Sequence, residues 1–263
     1  MSFISKLENA KPKEKELALV WLGQAGFLIK THQGQIILID PYLTDYVNRV
    51  LQKESGQGFR RMTPPLFDPE EIKADILLCS HEHQDHLDID AMPGLLKNKT
   101  MKAYVNIASI EELKKNHLDI SRFSVVTKGN NYQFGEFVLT VTDCDHGSST
   151  PEALGFILDF GFTVVYFSGD TSYNKERLAE VLKRKIDVAL LPINGAFGNL
   201  NAYEAAELAR DTGAKLCIPH HFWTFPAHSA PLGSPGDAIA AFPEKAPQCR
   251  LNLATPGGIM IIK

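Results

Sequence analysis

The sequence lacks a surplus of positive charge. Lysine and arginine total 27 against 31 aspartates and glutamates, for a formal net charge of −4. A dedicated nucleic-acid binder usually presents a basic face, and no lysine or arginine stripe with interleaved aromatics makes up for the balance. Nucleic acid is therefore disfavoured as a partner. Also missing is an apolar run long enough to cross a bilayer, and the charged opening MSFISKLENAKPKEKEL has no apolar h-region. Neither a membrane span nor a signal peptide is expected. The four cysteines, Cys79, Cys144, Cys217 and Cys249, lie far apart and none belongs to a C-x-x-C pair. Three of them sit in or beside apolar segments, where a reduced cysteine behaves as a small hydrophobe. A reducing, cytoplasmic compartment is the expectation.

What is present is ordinary in amount and unusual in placement. With 263 residues, 44% of them hydrophobic and 22% charged, the chain can bury a sizeable core without staples. Short β-type runs dominate the first third. LALVWLG, AGFLIKT and QIILIDP are separated by glycine or by HQGQ, a hairpin turn. ADILLCS reads as a strand buried on both faces. IASIEELKKNHL puts Ile107, Ile110 and Leu113 on one helical face. SVVT, YQF and EFVLTVTDC read as strands.

The second half repeats the plan. LGFILDF and FTVVYFS flank Gly161 as a hairpin, and NKERLAEVLKRK predicts an amphipathic helix with Leu178, Val181 and Leu182 inward. DVALLPI and KLCIP are strands. NAYEAAELARDTG is a helix capped by Asn201 and closed by Gly213. SPGDAIAAF reads as a short helix with Pro235 near its start, and GGIMIIK as a final strand. No low-complexity linker divides the halves, so residues 1–263 read as a single α/β domain, two sheets with helices outside. Tyr42 to Pro69 is the longest irregular stretch and reads as a lid or binding loop.

The metal-binding residue types collect at strand ends. SHEHQDHL puts His81, His83, Asp85 and His86 straight after an apolar strand, although histidine and aspartate are poor strand formers and costly to bury alone. His146, Asp170, His221 and Asp40 likewise follow apolar runs. Loops at strand ends, held by a rigid sheet, are where reactive groups gather. On an extended backbone His81 and His83 share a side. A turn after Gln84 would aim Asp85 and His86 together at a second ion. Imidazole and carboxylate without thiolate suit zinc, manganese or iron.

These residues carry a resemblance. HEHQDH matches the H-x-H-x-D-H hallmark of the metallo-β-lactamase superfamily. WLGQAGFLIK, FRRMTPPLFDPEEI, SGDTSYN, IDVALLPINGAFGNL and AKLCIPHHFW resemble its L-ascorbate-6-phosphate lactonase branch. The resemblance implies a four-layer αββα sandwich and a hydrolase that uses a hydroxide bridging two divalent ions, Zn2+ or Mn2+. His81, His83 and His146 would hold one ion, Asp85, His86 and His221 the other, and Asp170 would bridge them. Asp85 and Asp170 would be the catalytic pair. Asp40 and His220 are the expected supports behind the ligands.

The implied substrate is a lactone or ester of a small, phosphorylated and anionic sugar acid. Arg60, Arg61, Tyr173 and Asn194 are the candidate contacts, and His228 a candidate for the pocket rim. A phosphodiesterase or nuclease of the same superfamily is the alternative enzyme, and a non-catalytic metal-binding scaffold the alternative outside catalysis. Carboxylates without cysteines favour open, catalytic positions over a closed structural site. The sequence leaves a homo-oligomer open.

Overall fold

The computed structural model describes residues 1–55, 59–226 and 229–263. In chain order the elements are α1 (Phe3–Asn9), β1 (Leu17–Gly23), β2 (Gly26–Lys30), β3 (Ile36–Ile39), α2 (Tyr46–Ser55), β4 (Ile76–Cys79), α3 (Met92–Leu95), β5 (Lys102–Val105), α4 (Ile107–Lys115) and β6 (Phe123–Val125). There follow β7 (Asn131–Phe134), β8 (Phe137–Asp143), β9 (Leu154–Asp159), β10 (Val164–Phe167), α5 (Ala179–Leu182), β11 (Val188–Pro192), α6 (Ala202–Asp211), β12 (Leu216–His220), α7 (Pro235–Lys245), β13 (Arg250–Leu251) and β14 (Ile259–Ile262). Two compact units result. The first comprises residues 1–125, 223–226 and 255–263, the second residues 126–222 and 227–254.

The first unit holds a seven-stranded sheet in the order β14-β1-β2-β3-β4-β5-β6. Strands β14 to β3 pair antiparallel, and β3 to β6 pair parallel. The expected HQGQ turn joins β2 to β3, with the Thr31 N–H donating to Gln35 O and Gly34 at φ +91°. Every residue of β4 is buried, as its unbroken apolar run predicts. Val20, Leu22, Leu28, Leu38 and Leu77 share a core with Met92, Leu95 and Leu113. Each fully buried side chain of this size contributes about 1.5–3 kcal/mol.

Two expectations fail in this unit. Ile107 is 48% exposed, because it is the first residue of α4; the buried face is Ser109, Ile110 and Leu113, and the Asn106 side chain caps the helix by accepting from the Ser109 N–H. The stretch from Tyr42 to Pro69 is not wholly irregular, since it contains α2, with Tyr46 and Val47 buried in the core. Residues 56–58 of that stretch, and His228, lie outside the described residues.

The second unit repeats the arrangement with seven strands, β13-β12-β11-β10-β9-β8-β7. Strands β7 to β10 pair antiparallel and β10 to β13 parallel. The β9–β10 hairpin turns at Gly161, φ +79°. Asn201 caps α6 with a reciprocal Glu204 contact, and Gly213 follows it at φ +70°. The helix expected over NKERLAEVLKRK shrinks to α5. The Asn174 side chain accepts from the N–H groups of Glu176 and Arg177 and holds a turn there instead, while Arg177 reaches away to Asp143 and Asp145. Leu178 and Val181 are buried as expected, but Leu182 only partly.

This topology sets where reactive groups fall. Strands β8, β10, β11 and β12 run the same way, so the residues after them share one sheet edge. In the first unit β3, β4 and β5 do the same. Ligand sites of α/β sheets form beyond the carboxyl ends of such strands. All four cysteines are free and buried, and among the described residues no helix is long and apolar enough to cross a membrane.

Candidate metal centre

In the first unit the carboxyl ends of β3 and β4 bring together Asp40, Ser80, His81, His83, Asp85 and His86. Asp40 is fully buried and takes φ +44°. It accepts from the Ser80 N–H at 2.7 Å, from the Ser80 hydroxyl, and at 2.6 Å from His86 Nδ1. Burial pushes its carboxyl above the usual range, against the pull of His86 and the Ser80 donors. A carboxylate only accepts, so His86 carries its proton on Nδ1 and keeps a lone pair on Nε2. That Nε2 lies 3.7 Å from Asp85 Oδ2. Asp85 Oδ2 is fixed in turn by the Gln24 amide at 2.8 Å.

The same reasoning orders His81. The Ser80 hydroxyl hydrogen goes to Asp40, so its oxygen can accept from His81 Nδ1 at 3.0 Å. His81 Nε2 is then left 3.1 Å from His83 Nδ1. Two imidazole nitrogens on one ion, each bonded at about 2.0–2.1 Å, stand roughly 3.0–3.4 Å apart, so the pair fits a shared ion. Ligand atoms of Asp40, His81 and His86 also lie within 4.8 Å of one another. Asp40 is already engaged by Ser80 and His86, which suits a support better than a ligand.

In the second unit Asp170, after β10, stands between two histidines. His221 Nε2, after β12, lies 2.9 Å from Asp170 Oδ1, and His146 Nε2, after β8, lies 3.7 Å from Asp170 Oδ2. All three side chains are buried. The Asn199 amide donates to Asp170 Oδ2 at 2.9 Å. Gly198, at φ +83°, passes close to His146: a Cβ there would sit 4.0 Å from Nδ1. His221 itself takes φ +63°. His220, the last residue of β12, is fully buried, with its ring stacked on Phe167 at 5.3 Å and 5.5 Å from the His221 ring.

The expected substrate contacts fare differently. Arg61 is committed to its own loop: it donates to Tyr42 O at 2.7 Å and Thr63 O at 3.2 Å, and lies 4.6 Å over the Tyr42 ring. The side chain therefore braces the loop through Nε and Nη1. Arg60 is exposed. Tyr173 is drawn to the end of α6, where its hydroxyl bonds Asp211, with Lys175 over its ring; it does not join the Asp170 group. Asn194 is buried at the end of β11 and accepts through its backbone oxygen from the Ala230 N–H.

Three contributors were not foreseen: Gln24, Ser80 and Asn199. Gln24 and Asn199 are isolated amides in glycine-rich turns, where turn chemistry explains them by itself. Ser80 precedes the motif, and only the neighbouring Asp40 reveals its use.

Comparison with known proteins agrees with this chemistry. A profile of the Beta-lactamase superfamily domain matches residues 18–221. A UPF0173 metal-dependent hydrolase of Carboxydothermus hydrogenoformans is 29% identical over 230 residues, covering 82% of this chain and 89% of the relative. Another from Archaeoglobus fulgidus is 32% identical over 227 residues, covering 80% and 85%. Among solved structures, Igni18, a metallo hydrolase of Ignicoccus hospitalis, superimposes with a TM-score of 0.70 at 20% identity, covering 94% of this chain and 99% of that one.

Proposed function

This chain belongs to the metallo-β-lactamase superfamily, and within it to the UPF0173 metal-dependent hydrolases, and from that premise we propose that it hydrolyses an ester or lactone of a small molecule with two divalent ions. His81, His83 and His146 would hold one, Asp85, His86 and His221 the other, with Asp170 shared. The observation that carries this reading is the Asp170 carboxylate between the Nε2 atoms of His146 and His221. A buried carboxylate facing two imidazoles, each oxygen toward a different ring, is the donor arrangement a bridging ligand requires. Three peptide links separate His221 from Thr224, whose hydroxyl oxygen accepts from the backbone N–H of the same Gln24 that holds Asp85.

When bound, such a pair of ions lowers the pKa of a water toward 7 and polarises the oxygen under attack. Imidazole and carboxylate donors without thiolate suit zinc or manganese. The chain's own residues do the rest. Asp40 and Ser80 fix the tautomers of His86 and His81. Asn199 holds one oxygen of Asp170, and Gln24 holds one oxygen of Asp85. The Asp85 carboxylate would take a proton from the attacking water and return it to the leaving oxygen as the acyl bond breaks.

The narrower reading, a phosphorylated sugar-acid lactone, rests on the motif likeness to ascorbate-6-phosphate lactonases; the commitment of Arg61 to loop carbonyls weakens it. The test is an activity screen of metal-reconstituted protein against carboxylic esters and lactones, sugar-phosphate lactones, phosphodiesters and short RNA, with Asp170→Ala beside it. Metal-dependent ester or lactone turnover that Asp170→Ala abolishes is the expected result. Turnover surviving that change would overturn the mechanism, and a preference for phosphodiesters or RNA would move the chain to the alternative class.

A further inference from the structure

Backbone strain in this protein is not scattered. Among the described residues, eight that are not glycine have positive φ: Lys15, Gln24, Asp40, His117, Phe197, His221, Trp223 and Leu232. Gln24, Asp40 and His221 belong to the candidate centre. Phe197, Trp223 and Leu232 are bulky apolar residues, and they are 66%, 51% and 50% exposed. A large apolar side chain gains nothing from facing water, and φ near +60° is a conformation that L residues rarely adopt. Both unfavourable features meet at the same three residues.

The turns show what the sequence has given up. Asn199 N–H donates to Ala196 O across a turn whose central residues, Phe197 and Gly198, have φ +57° and +83°. Two positive φ values mark the type I′ pattern, whose first central position favours Asn, Asp or Gly. Gly233 N–H donates to Ala230 O across a second turn, with Pro231 then Leu232 at φ +63°. That is the type II pattern, whose third position favours Gly or Asn. Phe and Leu occupy positions where local rules ask for the smallest or most turn-tolerant residues. Such violations are expected where function outweighs local preference.

Both turns are tied to the second unit's ligands. Leu200 N–H donates to Thr171 O, beside Asp170, and Asn199 and Gly198 reach Asp170 and His146. The second turn is pinned to the first turn's strand end, with Ala230 N–H on Asn194 O, and to α6, with Ala202 N–H on Leu232 O. In the first unit, Trp223 precedes Thr224, which bonds the Gln24 that holds Asp85. The three segments, NGAFGNL, SAPLG and FWTFP, contain no charged residue.

We propose that Phe197 and Leu232, on the two turns of the second unit, are the specificity determinants of the hydrolase, and that they receive an uncharged apolar group, an alkyl or aryl chain, carried next to the bond that is cleaved. This rests on the hydrolase reading. It narrows the substrate to a neutral ester, lactone or related acyl compound with a hydrophobic tail. Water adds to the acyl carbon, the acyl–oxygen bond breaks, and the proton passes to the leaving oxygen. The tail lies against the rim throughout.

The test uses two probe series on the metal-loaded full chain. Straight-chain p-nitrophenyl esters from acetate to octanoate read turnover. Alkyl hydroxamates from acetohydroxamate to octanohydroxamate, titrated calorimetrically, read binding whether or not an ester is cleaved. A partly buried tail is worth about twofold per methylene, so affinity and kcat/KM should rise on the order of fiftyfold over six methylenes. Phe197→Asn and Leu232→Gly restore the residues the turns prefer. They should hold or raise Tm while flattening the chain-length dependence to less than about tenfold. No rise with chain length in the parent protein, or the same rise in both variants, would overturn the proposal. If no ester is cleaved, the hydrolase reading fails for this substrate class, and the hydroxamate ratios still decide the rim.

Discussion

His86 Nδ1 lies 2.6 Å from Asp40 Oδ2, and both side chains are wholly out of solvent. The contact dictates which imidazole nitrogen carries the proton and which keeps the lone pair a metal needs. Asp40→Asn keeps the shape but can turn an amide N–H toward Nδ1. The His86 proton then moves to Nε2, the atom facing Asp85. Metal affinity should fall about 10–100-fold, with the circular dichroism spectrum retained. Titration against a competing chelator measures it, and unaltered affinity would show that Asp40 does not set the tautomer.

Gln24 holds the Asp85 carboxylate in the first unit, and Asn199 holds the Asp170 carboxylate in the second. Gln24→Ala removes only the amide, because the backbone bonds to Thr224 and from Trp21 Nε1 to Gln24 O remain. Asn199→Ala likewise frees Asp170 Oδ2. Each should lower kcat by about tenfold, with Gln24→Ala also shifting the pH–rate profile through Asp85. Equal losses in KM alone, with kcat intact, would mean that these amides do not position reacting groups.

How much of this was legible beforehand follows the range of each interaction. His81, His83, Asp85 and His86 are neighbours in sequence, and His146, Asp170 and His221 announce themselves by following apolar strands. The supports do not. Gln24 and Asp85 are brought together only by the fold, and nothing local marks the amide. Arg61 looked available for a phosphate because its acceptors are backbone carbonyls of Tyr42 and Thr63, which no sequence pattern displays. Helix α2 was missed because its apolar residues were read as part of a glycine- and proline-rich loop. The long helix expected around Leu178 was lost to a side chain–backbone turn at Asn174.

Arg177 forks onto Asp143 at 2.8 and 3.0 Å and reaches Asp145 at 3.2 Å. The Asp143 carboxyl is held below the usual range: partial burial, the largest influence, pushes it up, and Arg177 and Lys128 together overcome that. A depressed carboxylate contributes stability that is present above the unfolded pKa of about 3.9 and is lost as pH falls through the folded value. Arg177→Met should therefore cost about 1 kcal/mol near pH 7, after solvent screening. The gap between parent and variant should close as pH drops below about 4. Urea unfolding at a series of pH values tests it; a gap independent of pH would point to lost packing of the arginine stem instead.

Asp88 is a fully buried acid satisfied by backbone and hydroxyl donors. Its Oδ2 accepts from the N–H groups of Leu43 and Thr44, both at 2.8 Å, and its Oδ1 from the Thr44 hydroxyl at 2.7 Å and the Ala91 N–H at 3.2 Å. The acid thus ties the segment after Asp40 to the turn that leads into α3. Every partner donates, so an acceptor-only group is required on both sides. Asp88→Asn would set an N–H against donors on one of them. Leaving buried donors unsatisfied costs about 1–3 kcal/mol, and in a chain of this size, at about 2–4 °C per kcal/mol, that lowers Tm by about 2–12 °C. Asp88→Ala, which orphans both sets of donors, should fall further. A midpoint unchanged in both variants would mean that water satisfies these groups, and that the segment after Asp40 is held in place by Tyr42 and Leu43 packing alone.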